Sequence, residues 1–261
     1  MNHQPKKKFG QNFLRDKNLL QKIVKESYID HKHVIEIGPG QGALTTFLAE
    51  KALTVTAYEI DESLKPILSE LQDKYSNLTI IYGDFLETEI NKDTEYHVVA
   101  NIPYNITSPI LFKILESPQI KTASIMIQKE VADRLLAKPG TKDYNALSIL
   151  LQIEAKAFKL VDVKRQMFYP IPNVDSIVIR IEKFSKPIIS SELMPFLRKM
   201  VKEAFRQKRK TLVNNWHEAY HIEKKSLIDF LIEQGVDPYA RAESLSIDTF
   251  LKLREAWPYA C

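Results

Sequence analysis

Cysteine occurs once in this 261-residue chain, as Cys261, which excludes an internal disulfide and any cysteine-rich metal centre. No metal site is therefore expected, and a reducing cytoplasmic setting fits. No apolar run is long enough to cross a bilayer. Met1–Lys8 carries charge with no following apolar segment, so no signal peptide is expected. Low-complexity tracts and internal repeats are absent as well. Glycine is sparse, seven in all, so any cluster of glycines is informative.

What is present describes an ordinary globular protein. With 44% hydrophobic residues there is enough apolar side chain to bury one large domain, or a large one with a small appendix. Net charge is only +4, but it is unevenly spread. Between Met1 and Lys25 there are seven basic residues (Lys6, Lys7 and Lys8 among them) against the single acid Asp16. Between Arg198 and Lys210 there are again seven, Arg206, Lys208, Arg209 and Lys210 included, against Glu203. Such clusters often form a solvated face; two of them flanking a nucleotide site point to a polyanionic partner.

Strand signals recur with room for a helix between them: 34–37, 54–60, 78–82, 96–100 and 123–127. Helical patterns fall at 44–49, 63–74 and 109–115, with a further helix at 17–26 ahead of the first strand. Strands alternating with amphipathic helices predict an α/β domain, a parallel sheet covered on both faces. Helices near 130 and at 146–153 follow. The runs 157–163 and 176–181, joined by a short loop, are expected to pair antiparallel. Lys183–Pro187 reads as a linker. Beyond it the pattern is helical: 193–205, 208–218, 225–234 and 247–257. The expected organisation is residues 1–185 as the catalytic domain and 186–261 as a small all-helical domain.

Three of the seven glycines fall in Glu36-Ile37-Gly38-Pro39-Gly40-Gln41-Gly42, after the first strand and before a helix. Bare backbone there lets a ligand approach closely. The Gly-x-Gly-x-Gly spacing is not that of dinucleotide enzymes and suits a nucleoside with no pyrophosphate. Glu59, ending the second strand, can accept both ribose hydroxyls, and Asp84, ending the third, can take an adenine amino hydrogen. Taken together, the glycine turn and the two acids describe a pocket for S-adenosylmethionine.

Asn101-Ile102-Pro103-Tyr104 closes the fourth strand, where the methyl group would be presented. These residue types suit alkylation of an exocyclic base nitrogen, whose lone pair is delocalised into the ring. The Asn101 side-chain oxygen and a backbone carbonyl held by Pro103 can accept its two N–H bonds, and Tyr104 can stack on a flipped base. Asn and Pro are equally ordinary turn residues, and Tyr near a strand end often only packs. No carboxylate–histidine pair suggests a general base, which leaves positioning and electrostatics to carry catalysis.

With these residues placed, the chain resembles the ribosomal RNA small-subunit adenine dimethyltransferases over nearly its whole length. The shared segments are 9–14, 36–42, 101–104, 128–132, 139–144, 168–174, 209–212 and 241–246. The resemblance implies a Rossmann-like class I S-adenosylmethionine-dependent methyltransferase with a small all-helical C-terminal domain. It implies transfer of four methyl groups to N6 of two adjacent adenosines near the 3′ end of 16S rRNA. The partner would be an assembling small ribosomal subunit, approached by a monomer in the cytoplasm. Carried over by position, Asn12 and Leu14 enclose the cofactor, while Gly38, Glu59, Asp84 and Asn101 bind it. Phe168 stacks on the target base opposite Tyr104, although composition alone reads Phe168 as core. The two basic clusters are expected to form one RNA-facing surface.

Other classes are weighed against this one. The erythromycin-resistance methyltransferases share Asn-x-Pro-Tyr but act on large-subunit rRNA; the segment 139–144 and the basic helical tail favour the small-subunit enzyme. A nucleotide-dependent dehydrogenase is disfavoured by the glycine spacing. A non-catalytic assembly factor has no need of a complete cofactor pocket.

Overall fold

The computed structural model describes Lys6, residues 11–190 and residues 192–259. In chain order the elements are β1 (Phe13–Leu14), α1 (Lys17–Glu26), β2 (His33–Ile37), α2 (Ala43–Ala49), β3 (Thr54–Glu59), α3 (Lys65–Lys74), β4 (Leu78–Tyr82) and β5 (Tyr96–Asn101). These are followed by α4 (Thr107–Glu116), β6 (Ile120–Gln128), α5 (Lys129–Leu135), α6 (Ala146–Glu154), β7 (Ala155–Val163), β8 (Phe168–Tyr169) and β9 (Ser176–Lys183). The chain ends in α7 (Met194–Ala204), α8 (Leu212–Tyr220), α9 (Lys224–Glu233) and α10 (Ile247–Glu255). Among the described residues no helix is long and apolar enough to cross a membrane.

Seven strands form one sheet in the order β4-β3-β2-β5-β6-β9-β7. The first five run parallel, and β9 is antiparallel to β6. Central strands β2 and β5 read as unbroken apolar runs because helices cover both their faces; four consecutive residues of each are buried. Edge strand β4 alternates instead, leaving Ile81 exposed. Chain order reverses between β2 and β5, which opens a crevice at the carboxyl ends of those two strands.

Helix α1 starts at Asp16, whose carboxylate accepts the Leu19 N–H at 2.9 Å. It buries Leu19, Leu20, Ile23 and Val24 on one face, the spacing of an amphipathic helix. Strands β1 and β8 form a separate antiparallel ribbon, with Phe13 opposite Tyr169 and Leu14 opposite Phe168. At two residues each, they are too short to leave a periodic signal in the sequence.

The chain packs as two units. One runs to Ala132 and takes in Ala157–Lys183; the other comprises Asp133–Lys156 and the chain from Phe184 onward. The linear expectation kept residues 1–185 together, whereas here Asp133–Lys156 groups with the helices. The cause is α6, whose apolar Ile149, Leu150 and Ile153 are buried as it packs on α7 and α10. In the same unit Trp216 is fully buried, and its indole N–H donates to the Met200 carbonyl at 3.2 Å.

One expectation in this unit is corrected. Lys208, Arg209 and Lys210 fall within the helix expected over 208–218, but with Arg206 they occupy the turn between α7 and α8. Helix α8 begins only at Leu212 because the Thr211 side chain caps it, accepting the Asn214 N–H.

Candidate active site

The carboxyl ends of β2 to β5 open into one cavity of about 930 Å³. Strand register explains the convergence. Ile37 lies opposite both Tyr58 and Ala100, and Glu59 lies opposite Tyr82. Gly38, Glu59, Asp84 and Asn101 therefore emerge along the same edge, and all four line the cavity with Asn12, Leu14 and Tyr104.

The glycine turn is held by backbone and carboxylate together. The Gly38 N–H donates to the Tyr58 carbonyl at 2.9 Å, and the Gly40 N–H donates to Glu59 Oε2 at 3.0 Å. The other Glu59 oxygen accepts the Asp61 N–H at 2.8 Å. Each carboxylate oxygen keeps a second lone pair for a ligand hydroxyl. Burial raises the Glu59 pKa, and these backbone N–H groups oppose the rise. Gly38 and Gly40 have φ of +70° and +58°, which other residues rarely adopt. A Cβ on Gly40 would sit 2.8 Å from the Phe13 ring, while one on Gly38 would meet nothing nearer than the Asn101 carbonyl at 4.0 Å. The Gly38 backbone is thus bare toward the cavity.

Asp84 caps the short turn 85–87, its Oδ1 accepting the Leu86 N–H at 2.8 Å. Lys113 anchors that turn from below, its ammonium donating to the carbonyls of Phe85, Leu86 and Thr88 at 2.5, 2.8 and 2.5 Å. At the end of β5, Asn101 Nδ2 donates to the Asn12 carbonyl at 3.1 Å, which orients the amide and leaves Oδ1 as its acceptor. Ile102 is buried, with its N–H on the Met126 carbonyl, and Tyr104 shares a 2.7 Å hydrogen bond with Ser176 Oγ.

Three side chains that sequence reasoning passed over belong to this site. Glu36 is buried in the cavity wall with Oε2 lacking any hydrogen-bond partner. Burial pushes its pKa up to about 8; the Thr45 hydroxyl opposes the shift and the Glu59 charge adds to it. Asp61 accepts from Lys6 Nζ at 2.8 Å and Gln11 Nε2 at 2.9 Å, fastening the N-terminal segment beside the glycine turn. Burial opposes ionisation of Asp61, but the bonds from Lys6, Ser63 and Gln11 outweigh it and hold the carboxyl well below its usual range. Lys113 is the third. Asp61 lies two residues beyond Glu59 and Glu36 directly precedes the glycine turn, so both had a positional signal; Lys113 had none.

Two expectations meet a different geometry. Phe168 does not line the cavity: it is 3% exposed and packs in the core beside Leu14, its partner in the β1–β8 ribbon. Paired residues share a face of a ribbon, and buried Leu14 fixes that face as the inner one. Lys6 is held by Asp61 and Ser63 rather than projecting as part of a basic face. Lys7 and Lys8 lie outside the described residues. In the helical unit, Lys210 pairs with Glu218, Arg206 lies 3.7 Å from Glu203, and Lys208 donates to the Lys142 carbonyl at 2.8 Å.

A switch-point crevice with a bare glycine turn, acids at the next two strand ends and no pyrophosphate cradle defines a Rossmann-like class I methyltransferase. Its donor set fits S-adenosylmethionine: Glu59 suits ribose hydroxyls, Asp84 an adenine amino group, and the unpartnered Glu36 oxygen a cationic ligand. Comparison with known proteins narrows the class. Residues 2–257 match the family described as ribosomal RNA adenine dimethylase. The ribosomal RNA small subunit methyltransferase A of Aster yellows witches'-broom phytoplasma is 47% identical, the match covering 98% of this chain and 97% of the relative. The protein of the same name from Bacillus mycoides is 44% identical, covering 96% and 90%. A dimethyladenosine transferase from Plasmodium falciparum has a TM-score of 0.78 at 30% identity, covering 92% of this chain and 95% of that one. The 23S rRNA methyltransferase ErmE has a TM-score of 0.73 at 29% identity, covering 94% and 98%. The chain belongs to the ribosomal RNA adenine dimethylase family and is an S-adenosylmethionine-dependent methyltransferase.

Proposed function

We propose that this chain dimethylates N6 of two adjacent adenosines near the 3′ end of 16S rRNA, within an assembling small ribosomal subunit in the cytoplasm. The observation that carries this reading is the end of β5. Asn101, oriented by its bond to the Asn12 carbonyl, presents an amide oxygen at a cavity suited to a nucleoside cofactor, with Tyr104 beside it. Relatives at 47% and 44% identity that are named for the small subunit support that substrate over the large subunit.

S-adenosylmethionine, when bound, supplies an electrophilic methyl group. Gly38, Glu59 and Asp84 hold it, with Asn12 and Leu14 closing the pocket from the N-terminal segment. The Asn101 side-chain oxygen and the Ile102 carbonyl accept the two N6–H bonds, which localises the nitrogen lone pair. These bonds strengthen as N6 pyramidalises, so they act mainly on the transition state. The Tyr104 ring, tethered through its hydroxyl to Ser176, stacks on the flipped adenine. Once alkylated, N6 loses its proton to water. The turn residues Arg206, Lys208, Arg209 and Lys210 contact rRNA phosphates.

Mass spectrometry of rRNA tests the assignment. Unmethylated small subunits incubated with the protein and S-adenosylmethionine should yield two adjacent N6,N6-dimethyladenosines near the 3′ end. Modification of large-subunit rRNA alone would move the chain to the erythromycin-resistance type, and no modification of either RNA would overturn the reading.

A further inference from the structure

The β1–β8 ribbon has two faces, and only the inner one is accounted for. Leu14 and Phe168 face the core, whereas their neighbours Phe13 and Tyr169, paired across the ribbon, share the opposite face. Phe13 lies against the glycine turn at Gly40 and lines the cofactor cavity with Leu14 and Arg15, while its partner Tyr169 lies outside that lining. Arg15, two residues beyond Phe13, falls on the same side, and its guanidinium sits 4.1 Å from the centre of the Tyr169 ring. Tyr169 is 49% exposed, so its ring is open to a ligand.

Further cations lie close in sequence to the two strands of the ribbon. Arg15 and Lys17 are exposed and line the cavity mouth, and Arg165 is exposed in the turn preceding β8. Tyr169 is followed by the exposed Ile171 and Val174. An aromatic ring stacked on a guanidinium that itself lines a cavity has the chemistry of a single-stranded nucleic-acid platform. Bases stack on rings and guanidinium planes, and the same guanidinium donates to phosphate.

We propose that Tyr169 and Arg15 form a stacking platform at the cavity mouth for a nucleotide flanking the methylated adenosine. This inference rests on the rRNA reading above and adds to it a second base-binding position, on residues not assigned to either the cofactor or the target base. A flipped adenosine interrupts the stack of its neighbours, and the platform replaces that lost stacking for one of them. The ring takes the flanking base, and Arg15 takes a phosphate of the same strand.

The test compares methylation of unmethylated small subunits by wild type, Tyr169→Ala, Tyr169→Leu, Tyr169→Phe and Arg15→Ala, with S-adenosylmethionine affinity and melting temperature measured alongside. Tyr169→Ala and Tyr169→Leu should raise KM for subunits by roughly five- to a hundredfold, with kcat and cofactor affinity nearly unchanged. Tyr169→Phe should behave as wild type, because it keeps the π-face. Arg15→Ala should also raise KM and should lower the salt slope of subunit binding by about one. Tyr169→Leu keeps apolar bulk, so it decides the matter even if the alanine variant is unstable. A leucine variant with wild-type KM would overturn the platform, as would a fall in kcat with KM unmoved. Inactivity of the wild type on small subunits would instead count against the substrate assignment, a separately readable result.

Discussion

Replacing Glu36 with Gln should change how the ligand-free protein's stability depends on pH. Glu36 is buried with an unpartnered oxygen, and its pKa stands at about 8 in the folded chain against an ordinary 4.5. A carboxyl raised in this way binds its proton more tightly folded than unfolded. Between the two values the native state therefore holds more protons than the unfolded state, and stability falls as pH rises. Below pH 6.5 a second group works in the opposite direction: burial lowers the His97 pKa to about 4, with the charges of Lys32 and Arg180 adding to the effect. Its contribution is complete above the unfolded histidine value, so the window from pH 6.5 to 8 isolates the carboxyls. Across that window Glu36 alone accounts for roughly 1.5–2 kcal/mol of lost stability, the slope falling from about 1.4 kcal/mol per pH unit to half that at pH 8. For a protein of this size that corresponds to about 4–8 °C in Tm. Thermal melts of wild type and Glu36→Gln at pH 6.5, 7.2 and 8 measure it. The wild-type Tm should decline, and the Gln variant should lose most of the slope. Glu59, also raised by burial, leaves a smaller residual slope of the same sign. Equal slopes in the two proteins would refute the reasoning.

Glu59→Ala should weaken S-adenosylmethionine binding by roughly ten- to a hundredfold in calorimetry. Glu59→Gln should be nearly as damaging, since an amide cannot accept both the Gly40 and Asp61 N–H bonds. Asn101→Ala should lower the methylation kcat by roughly a hundredfold or more in single-turnover assays, with KM for subunits moving much less. Phe168→Ala, at a 3% exposed core position, should cost about 3–5 kcal/mol and lower Tm by roughly 6–20 °C; an unaltered Tm would put the ring outside the core. Arg209→Ala should reduce the salt slope of subunit binding by about one, more than Lys210→Ala, because Lys210 is already paired with Glu218.

The sheet was legible because parallel strands buried on both faces read as continuous apolar runs. Residues 78–82 and helix 17–26 were read to their ends. The cofactor side of the site was equally readable, since glycines and acids at strand ends follow from where parallel strands stop. What escaped depends on contacts distant in sequence. The β1–β8 ribbon has no periodicity of its own, so the exposure of Tyr169 was not visible, whereas the burial of Phe168 follows the plain reading of that ring as core rather than the role the resemblance implied. Residues 206–210 are rich in good helix formers, yet the Thr211 cap and the Lys210–Glu218 pair hold them as a turn. Asp133–Lys156 reads as a continuation of the sheet domain until the packing of α6 on α7 and α10 is known.

The ribbon also bears on the order in which the protein becomes competent during synthesis. Residues 11–15 are made before every strand of the large sheet, and they wall the cofactor cavity. Strand β1 nevertheless has no sheet partner until Phe168–Tyr169 has emerged from the ribosome, well after β2 to β6 are complete. A nascent chain long enough to hold the glycine turn, Glu59, Asp84 and Asn101 has the Asp61 and Asn101 bonds to the N-terminal segment but still lacks the strand that pairs with the pocket's N-terminal wall. Ribosome-bound chains ending before β8 should therefore bind S-adenosylmethionine poorly, although every residue proposed to hold it has already been made.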